Sequence, residues 1–424
     1  MTKYHLIASA AVLVLGSSSA FGFARFARGE AVLSTTARAS YDSRIFGGYD
    51  SADDYIFTLD PRVIYRREAG QVKLESNVGM RFNRYYEFDE LNSEDLLASL
   101  KLQLPPGGST RSSGLFETSY SENTDVNYDV NRRVREKTFL NRLSADIPTG
   151  LKTVLLLGGS FRREKRDEFS DRDTWDGSAG FRYQNFLGGS SFDVRYRHLE
   201  LESTGNDPTD IPLEQSSDIY SATFTRPLYH DLRGSFTYGY RILDRSQREV
   251  LDGSDPRSAG SLFGINLTGP FLPKAMFPKL DTSLSLGYQK SETPGLNDRN
   301  ASRFVGAMNI NWQARERSRI TFNVRRALEL SVNNFTVETT GVTVGLTQAV
   351  GNFITTSFST GYEQRDYGIL GRNDDVYIAQ ASGRYSISRT WSTSATYSLR
   401  QSNSSVAIAD YGRHYASLEI NYTF

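Results

Sequence analysis

At the end of the chain Ala416, Leu418, Ile420, Tyr422 and Phe424 alternate with Ser417, Glu419, Asn421 and Thr423. A period of two puts the apolar set on one face of a strand and the polar set on the other. The pattern recurs along the chain. Leu74, Val78, Met80 and Phe82 oppose Lys73, Glu75, Asn77 and Arg81. Leu232, Phe236, Tyr238, Tyr240 and Ile242 oppose Arg233, Ser235, Thr237 and Arg241. Leu280, Leu284, Leu286 and Tyr288 oppose Asp281, Ser283, Ser285 and Gln289. No comparable run carries helical spacing.

Short and long connections alternate between these segments. The short ones include 148–150, 184–189, 228–231, 315–318, 350–352 and 388–390; 270–279 is a longer turn on the same side. The long ones are polar and acidic, among them 42–54, 87–94, Glu122–Arg133, 204–215, 246–257 and 366–375. Short turns at one end and long loops at the other are the habit of bacterial outer-membrane barrels. Walking the chain this way predicts about 20 strands, with about 18 as the nearest alternative. The expected fold is all-β, a transmembrane antiparallel up-and-down barrel over residues 23–424.

Lipid supplies no hydrogen-bond partners, so only helices and closed barrels can cross it. Alternating strands could also build a soluble sandwich or propeller with the apolar face turned inward. Both chain ends favour the membrane. Lys3 and His5 precede the apolar run Leu6–Leu15, and small residues at Ser18-Ser19-Ala20 or Ala20-Phe21-Gly22 suit cleavage. Residues 1–22 are therefore expected to be an export signal. Leu418, Ile420, Tyr422 and Phe424 are similar to the C-terminal signal of outer-membrane proteins. They are expected to serve assembly, with the barrel assembly machinery and outer-membrane lipid as partners and the outer membrane as the destination. No later run approaches the ~18 apolar residues of a spanning helix. The strand pattern starts near Glu30, so no plug domain is expected.

Composition narrows the function classes. The 424 residues are 38% hydrophobic and 12% aromatic, with a mean hydropathy of −0.46, a formal net charge of +0 and no cysteine. Neutral overall charge argues against a nucleic-acid partner. Without cysteine there is no disulfide framework or thiolate metal site. The four histidines, His5, His198, His230 and His414, do not share metal-ligand spacing. Asp53-Asp54 and Asp374-Asp375 are similar to the acidic pairs of outer-membrane proteases, but their Gly- and Asn-rich surroundings make a solvated acidic loop the plainer reading. No catalytic residue, metal or cofactor is expected.

If apolar positions face lipid, the intervening ones face the lumen. The chain holds 9 Lys and 40 Arg. On the inward phase basic residues outnumber acidic ones, which leaves the balancing acid to loops and turns. Arg81, Arg182, Arg195, Arg197, Arg233, Arg241, Arg325 and Arg384 are the candidate lumen and translocation residues. A surplus of fixed positive charge favours anionic permeants. The alternative is that these arginines pair with lumen acids and brace the wall.

Tyr41-Asp42-Ser43-Arg44-Ile45-Phe46, then Tyr55-Ile56-Phe57-Thr58-Leu59-Asp60-Pro61, then Tyr85-Tyr86 before an acidic loop, form an opening that resembles a family of β-barrel porins encoded with exopolysaccharide export systems. The likeness covers roughly the first hundred mature residues, and Arg44 stands where that family's pattern has Asn. It implies carriage of polysaccharide across the outer membrane, with periplasmic export components as partners. Three functions compete. The first is export of an anionic polysaccharide. The second is a general or substrate-selective diffusion porin for small solutes, which an inward-folded long loop would favour. The third is a surface adhesin or structural barrel, which a lumen filled by side chains would favour.

Overall fold

A computed structural model of the chain describes residues 24–424, except 48–51, 69–70, 105–111, 128, 131, 205–212, 230, 246–256, 273–276, 278, 292–300, 332–335 and 369–370. The segment read as an export signal lies outside the described residues. Among the described residues no helix is long and apolar enough to cross a membrane.

The strands run in chain order. A short β1 (Ala24–Phe26) leads into β2 (Gly29–Asp42), β3 (Asp54–Arg67), β4 (Lys73–Tyr85), β5 (Ser93–Leu104), β6 (Ser113–Asn127) and β7 (Arg132–Pro148). Then come β8 (Thr153–Arg166), β9 (Asp171–Phe186), β10 (Ser190–Thr204), β11 (Leu213–Tyr229), β12 (Leu232–Arg245), β13 (Arg257–Thr268) and β14 (Leu280–Ser291). The rest are β15 (Ala301–Arg315), β16 (Ser318–Leu330), β17 (Thr336–Val350), β18 (Ile354–Asp366), β19 (Asn373–Ser386), β20 (Trp391–Ser404) and β21 (Tyr411–Thr423). Each strand from β2 on pairs antiparallel with the next, and β21 returns to β2, so 20 strands close the sheet.

Closure leaves no free edge, which is what a sheet in lipid requires. The seam runs from Ser34↔Thr423 to Asp42↔Tyr415, and β1 covers the adjoining edge of β2 at Ala31 to Gly29. Arg38 donates to Glu419 through Nε and Nη2 at 2.9 and 2.7 Å, and Thr36 Oγ1 donates to Asn421 at 2.7 Å. Arg413 grips Asp42 at 2.9 and 2.5 Å.

The outer face is apolar and exposed: Val63, Leu143, Phe181, Phe236, Ile265, Phe358 and Leu418 are each at least 46% accessible. In water that would be a liability; in lipid it is the required surface. Aromatic pairs mark its two borders. Tyr41–Tyr55, Phe161–Trp175, Tyr196–Tyr220 and Tyr362–Tyr377 ring the loop side at centroid distances of 5.4, 4.1, 5.2 and 5.3 Å. Tyr183–Phe186 and Trp391–Tyr422–Phe424 ring the turn side. Such belts sit at the membrane interfaces. The C-terminal set lies here: Leu418 and Ile420 face outward at 66% and 50% accessibility, and the Phe424 amide donates to the Leu33 carbonyl at 3.0 Å. A closed ladder of this kind resists detergent, so the folded protein is expected to migrate faster on a gel before boiling than after. Equal mobility with helical circular dichroism would contradict the fold.

Two expectations are corrected. Glu122–Arg133 is not a long loop, because β6 continues to Asn127 and β7 resumes at Arg132. The pairs Asp53-Asp54 and Asp374-Asp375 are not solvated acidic loops either. Asp54 and Asp374 are 3% and 2% accessible at the ends of β3 and β19, on the inward face. Their outward neighbours accept from belt tyrosines, Tyr41 to Asp53 at 2.9 Å and Tyr362 to Asp375 at 2.6 Å.

Candidate functional site: the lumen and its mouth

Alternation along each strand puts small polar residues on the inner wall. In register across β9 to β13 stand Ser178, Gly180, Ser221, Thr223, Thr237, Gly239 and Gly264. Across β14 to β18 stand Ser285, Ala307, Asn309, Asn323, Thr343 and Ser359. Short side chains leave the space between the walls to water.

The eight arginines named from the sequence lie on this inward face. Arg182 on β9 grips Asp193 at 3.0 Å, with Asp146 at 3.7 Å. Arg197 is bidentate on Asp176, down to 2.5 Å. Arg81 reaches Asp60 at 3.3 Å, which Arg62 already holds at 2.6 Å. Arg325 pairs with Glu329 at 3.0 Å, four residues along its own strand. Arg241 donates to Ser217 at 2.9 Å and Arg384 to Ser392 at 3.0 Å, neither partner being charged. Among the described residues no carboxylate pairs with Arg195 or Arg233. So Arg81, Arg182 and Arg197 brace the wall and Arg325 pairs along its own strand, while Arg195, Arg233 and Arg241 have no carboxylate partner among the described residues and Arg384 lies in the field of Glu419.

The loop-side mouth is built differently. Above Leu97↔Ser121 the ladder between β5 and β6 stops, while β6 and β7 stay paired to Asn127↔Arg132. The freed hairpin leaves the wall, and its tip meets strands on the opposite side of the ring. The Asp129 carboxylate accepts from Tyr367 Oη at 3.0 Å and Arg365 Nη1 at 3.4 Å. Its backbone carbonyl accepts from Arg372 Nη1 at 2.7 Å. Arg365 is also held by Glu363 at 2.6 Å and Arg372 by Asp374 at 2.5 Å. The Arg372 guanidinium lies 4.3 Å from the centre of the Tyr367 ring, and Tyr367 is 1% accessible.

Burial, reinforced by the Asp129 charge, pushes the Tyr367 phenol well above its ordinary range, so it remains a donor. Burial alone would lower the Arg372 value, but its bond to Asp374 together with the Tyr367, Asp374 and Asp129 charges raises it. Val126 and Asn127 line one cavity together with Glu329, Val337, Thr339 and Arg365. A second crossing joins Arg172 Nη2 on β9 to the Ser331 carbonyl at 2.9 Å.

Residues 43–47 of the β2–β3 connection fold into the same mouth. Ile45 is 0% accessible and packs against Ile56 and Tyr85, both on the inward face, with Phe46, Phe88 and Leu91 around them. Phe46 and Phe88 meet edge to face at 5.3 Å. Gly47 has φ +83 and lies so close to Val126 that a Cβ there would be 2.2 Å from Cγ1. Only glycine fits both the backbone and the contact. The Arg133 guanidinium covers the Tyr85 ring at 4.8 Å. The opening motif of the chain is thus the anchor of an inward-folded segment.

The acids that pair with Arg81, Arg182, Arg197 and Arg365 fall on the inward phase of the sequence, but a further set was missed. Asp42, Asp54, Asp95, Glu136, Glu164 and Asp374 face inward just below the mouth rather than standing in loops. Glu136 binds Arg166 at 2.9 Å, and Glu164 binds both Arg166 and Arg162. Asp95 accepts from Asn83 at 3.2 Å and Thr124 at 3.0 Å. They occur at strand ends, where the alternation is shortest and polar residues occupy both phases. Among the described residues no group of three His, Asp or Glu is placed to hold a metal.

The sequence of residues 276–424 matches the family model described as "Putative beta-barrel porin 2". Over those residues the chain is similar to that family, and the described chain as a whole is a closed 20-stranded antiparallel β-barrel. The match falls on the C-terminal third, whereas the resemblance drawn from the sequence rests on the opening hundred residues. No curated protein matches the chain in sequence. Among solved structures, the ferric-catecholate import receptor Fiu of E. coli K12 is 9% identical. The likeness covers 95% of this chain and 82% of that one, with a TM-score of 0.53. The unliganded ferric citrate transporter FecA is 9% identical over 93% and 78%, with a TM-score of 0.50. OccK2 (OpdF) of Pseudomonas aeruginosa is 10% identical over 93% and 97%, with a TM-score of 0.42. At these identities the likeness is one of fold.

Proposed function

We propose that this porin-type barrel is a gated, anion-preferring channel whose permeant is an acidic polysaccharide leaving the cell. The observation that carries the anion preference is the charge of Arg195, Arg233 and Arg241, which have no carboxylate partner among the described residues, amid short polar side chains. In a wet lumen these charges raise the local anion concentration, and each guanidinium can bind a carboxylate in two-point fashion. The polymer part rests on the resemblance of the opening segment to porins encoded with polysaccharide export. A mouth held by polar contacts suits such a role, since polar latches can be exchanged for polar contacts with a passing chain.

A second reading has its own observation. The hairpin folded across the mouth narrows the passage, which favours a substrate-selective diffusion channel for small anions. One experiment separates the two. In cells making an acidic polysaccharide, deletion of the gene is expected to abolish surface polymer and leave it in the periplasm. Normal surface polymer, together with anion currents through the purified wild-type barrel, would make the small-solute channel the function.

A further inference from the structure

At several points of the loop-side rim the outer face repeats one arrangement. A belt tyrosine donates its hydroxyl to a carboxylate just above it: Tyr41 to Asp53, Tyr196 to Asp218 at 2.7 Å, Tyr362 to Asp375. The sector formed by β7 and β8 departs from it. Its belt residues are Phe139 and Phe161, which have no hydroxyl, at a centroid distance of 6.2 Å, with Trp175 stacked 4.1 Å beyond. Above them stand Lys137 and Lys165, directly opposite each other in the ladder. Like charges facing across two strands oppose the pairing. Among the described residues no carboxylate pairs with either lysine. Arg163 lies beside them, held by Asp173 at 2.6 Å and 5.5 Å from the centre of the Phe161 ring. Glu122 on β6 faces Lys137 across the ladder, but its oxygens are taken by Tyr120 at 2.5 Å and Arg135 at 2.8 Å, and Asp173 on β9 is taken by Arg163. Glu200 and Glu202 lie on the outer face two strands away, so neither lysine is matched by an available acid.

We propose that this sector is a binding site for a phosphate-bearing lipid of the outer leaflet. Its phosphate would lie between Lys137 and Lys165, and its acyl chains against Phe139, Phe161 and Trp175. The charge and the geometry agree. An anion between the lysines relieves their repulsion, and the aromatic patch one step below lies at the depth where acyl chains begin. The acyl chains distinguish this occupant from free phosphate, which has no use for the aromatic patch.

The purified full-length barrel in detergent can be titrated with bis-phosphorylated lipid A and followed by native mass spectrometry. One lipid is expected to stay bound. Lys137→Gln with Lys165→Gln is expected to weaken it roughly ten- to thirtyfold, at about 1 kcal/mol for each lysine. Lys137→Arg with Lys165→Arg is expected to keep it. Both variants are expected to retain heat-modifiable mobility, because the changed side chains lie outside the wall. Equal binding by the Gln variant, or equal binding of dephosphorylated lipid A, would overturn the proposal. Inorganic phosphate displacing the lipid at matching concentration would also overturn it, by making the site one for free anions.

Discussion

Asp129→Ala is expected to raise the conducting fraction of single barrels in a planar bilayer by one to two orders of magnitude. The Asp129 side chain satisfies the buried Tyr367 hydroxyl and one of the two arginines that clasp the hairpin tip. Removing one partner of a buried charged cluster typically costs ~3–5 kcal/mol. Asp129 keeps 23% of its side-chain area exposed, so screening trims that to about 1.5–3 kcal/mol. Every 1.4 kcal/mol is roughly tenfold in the ratio of latched to unlatched mouth. The ladder of the wall does not involve this carboxylate, so gel mobility before boiling should match wild type. An unchanged conducting fraction would mean that the hairpin does not gate the channel.

The second large effect concerns selectivity. Replacing Arg195, Arg197, Arg233 and Arg241 by Gln is expected to move the reversal potential in a salt gradient from the anion side toward cations. The four contribute unequally. Arg195 and Arg233 have no acid partner, so each substitution removes uncompensated charge. Arg197 is bound to Asp176, and its loss exposes a carboxylate, adding a negative charge where a neutral pair stood. The double variant Arg195→Gln, Arg233→Gln should therefore shift the potential part of the way, and Arg197→Gln should extend the shift. The effect should fade as salt rises, because the Debye length falls to about 3 Å at 1 M. A reversal potential identical to wild type at low salt would remove these residues from the permeation path.

The wall of the barrel was legible because the membrane demands it. Lipid on one face and water on the other force a strict period of two, and residues such as Leu232 to Ile242 carry it without interruption. Strand count followed from the same alternation, since every polar cluster without it marked a reversal. The mouth was not legible for the complementary reason. From Glu122 to Arg133 the hairpin has left the lipid and has polar surroundings on both sides, so its alternation vanishes although its backbone stays paired. Val126, Val130 and Val134 were the available signal: Val126 lies against Gly47, and Val134 packs with Phe169 and Val130. Asp54 and Asp374 were misjudged on similar grounds. Acidic residues near glycine and asparagine usually belong to loops, and it is the folded-back contacts that bury these two: the Glu87 and Phe88 amides donate to Asp54, and Arg372 and Ser404 donate to Asp374. Ile45 stood in a motif noticed for its resemblance, but its packing against Ile56 and Tyr85 depends on how the loop folds back.

The seam between β2 and β21 carries a kinetic consequence. Every other strand finds its partner a few residues away, at a loop-closure cost of about 2 kcal/mol, whereas joining ends nearly four hundred residues apart costs about 5 kcal/mol. That contact is the costliest to make before the other strands are in place, and no local hairpin can rehearse it. The clasp of Arg38 on Glu419 and of Arg413 on Asp42 rewards closure only once it is complete. Until then the sheet has two raw edges, each a template for mispairing. A helper that shields the edge of β2 while the chain is threaded would remove most of the search and most of the hazard at once.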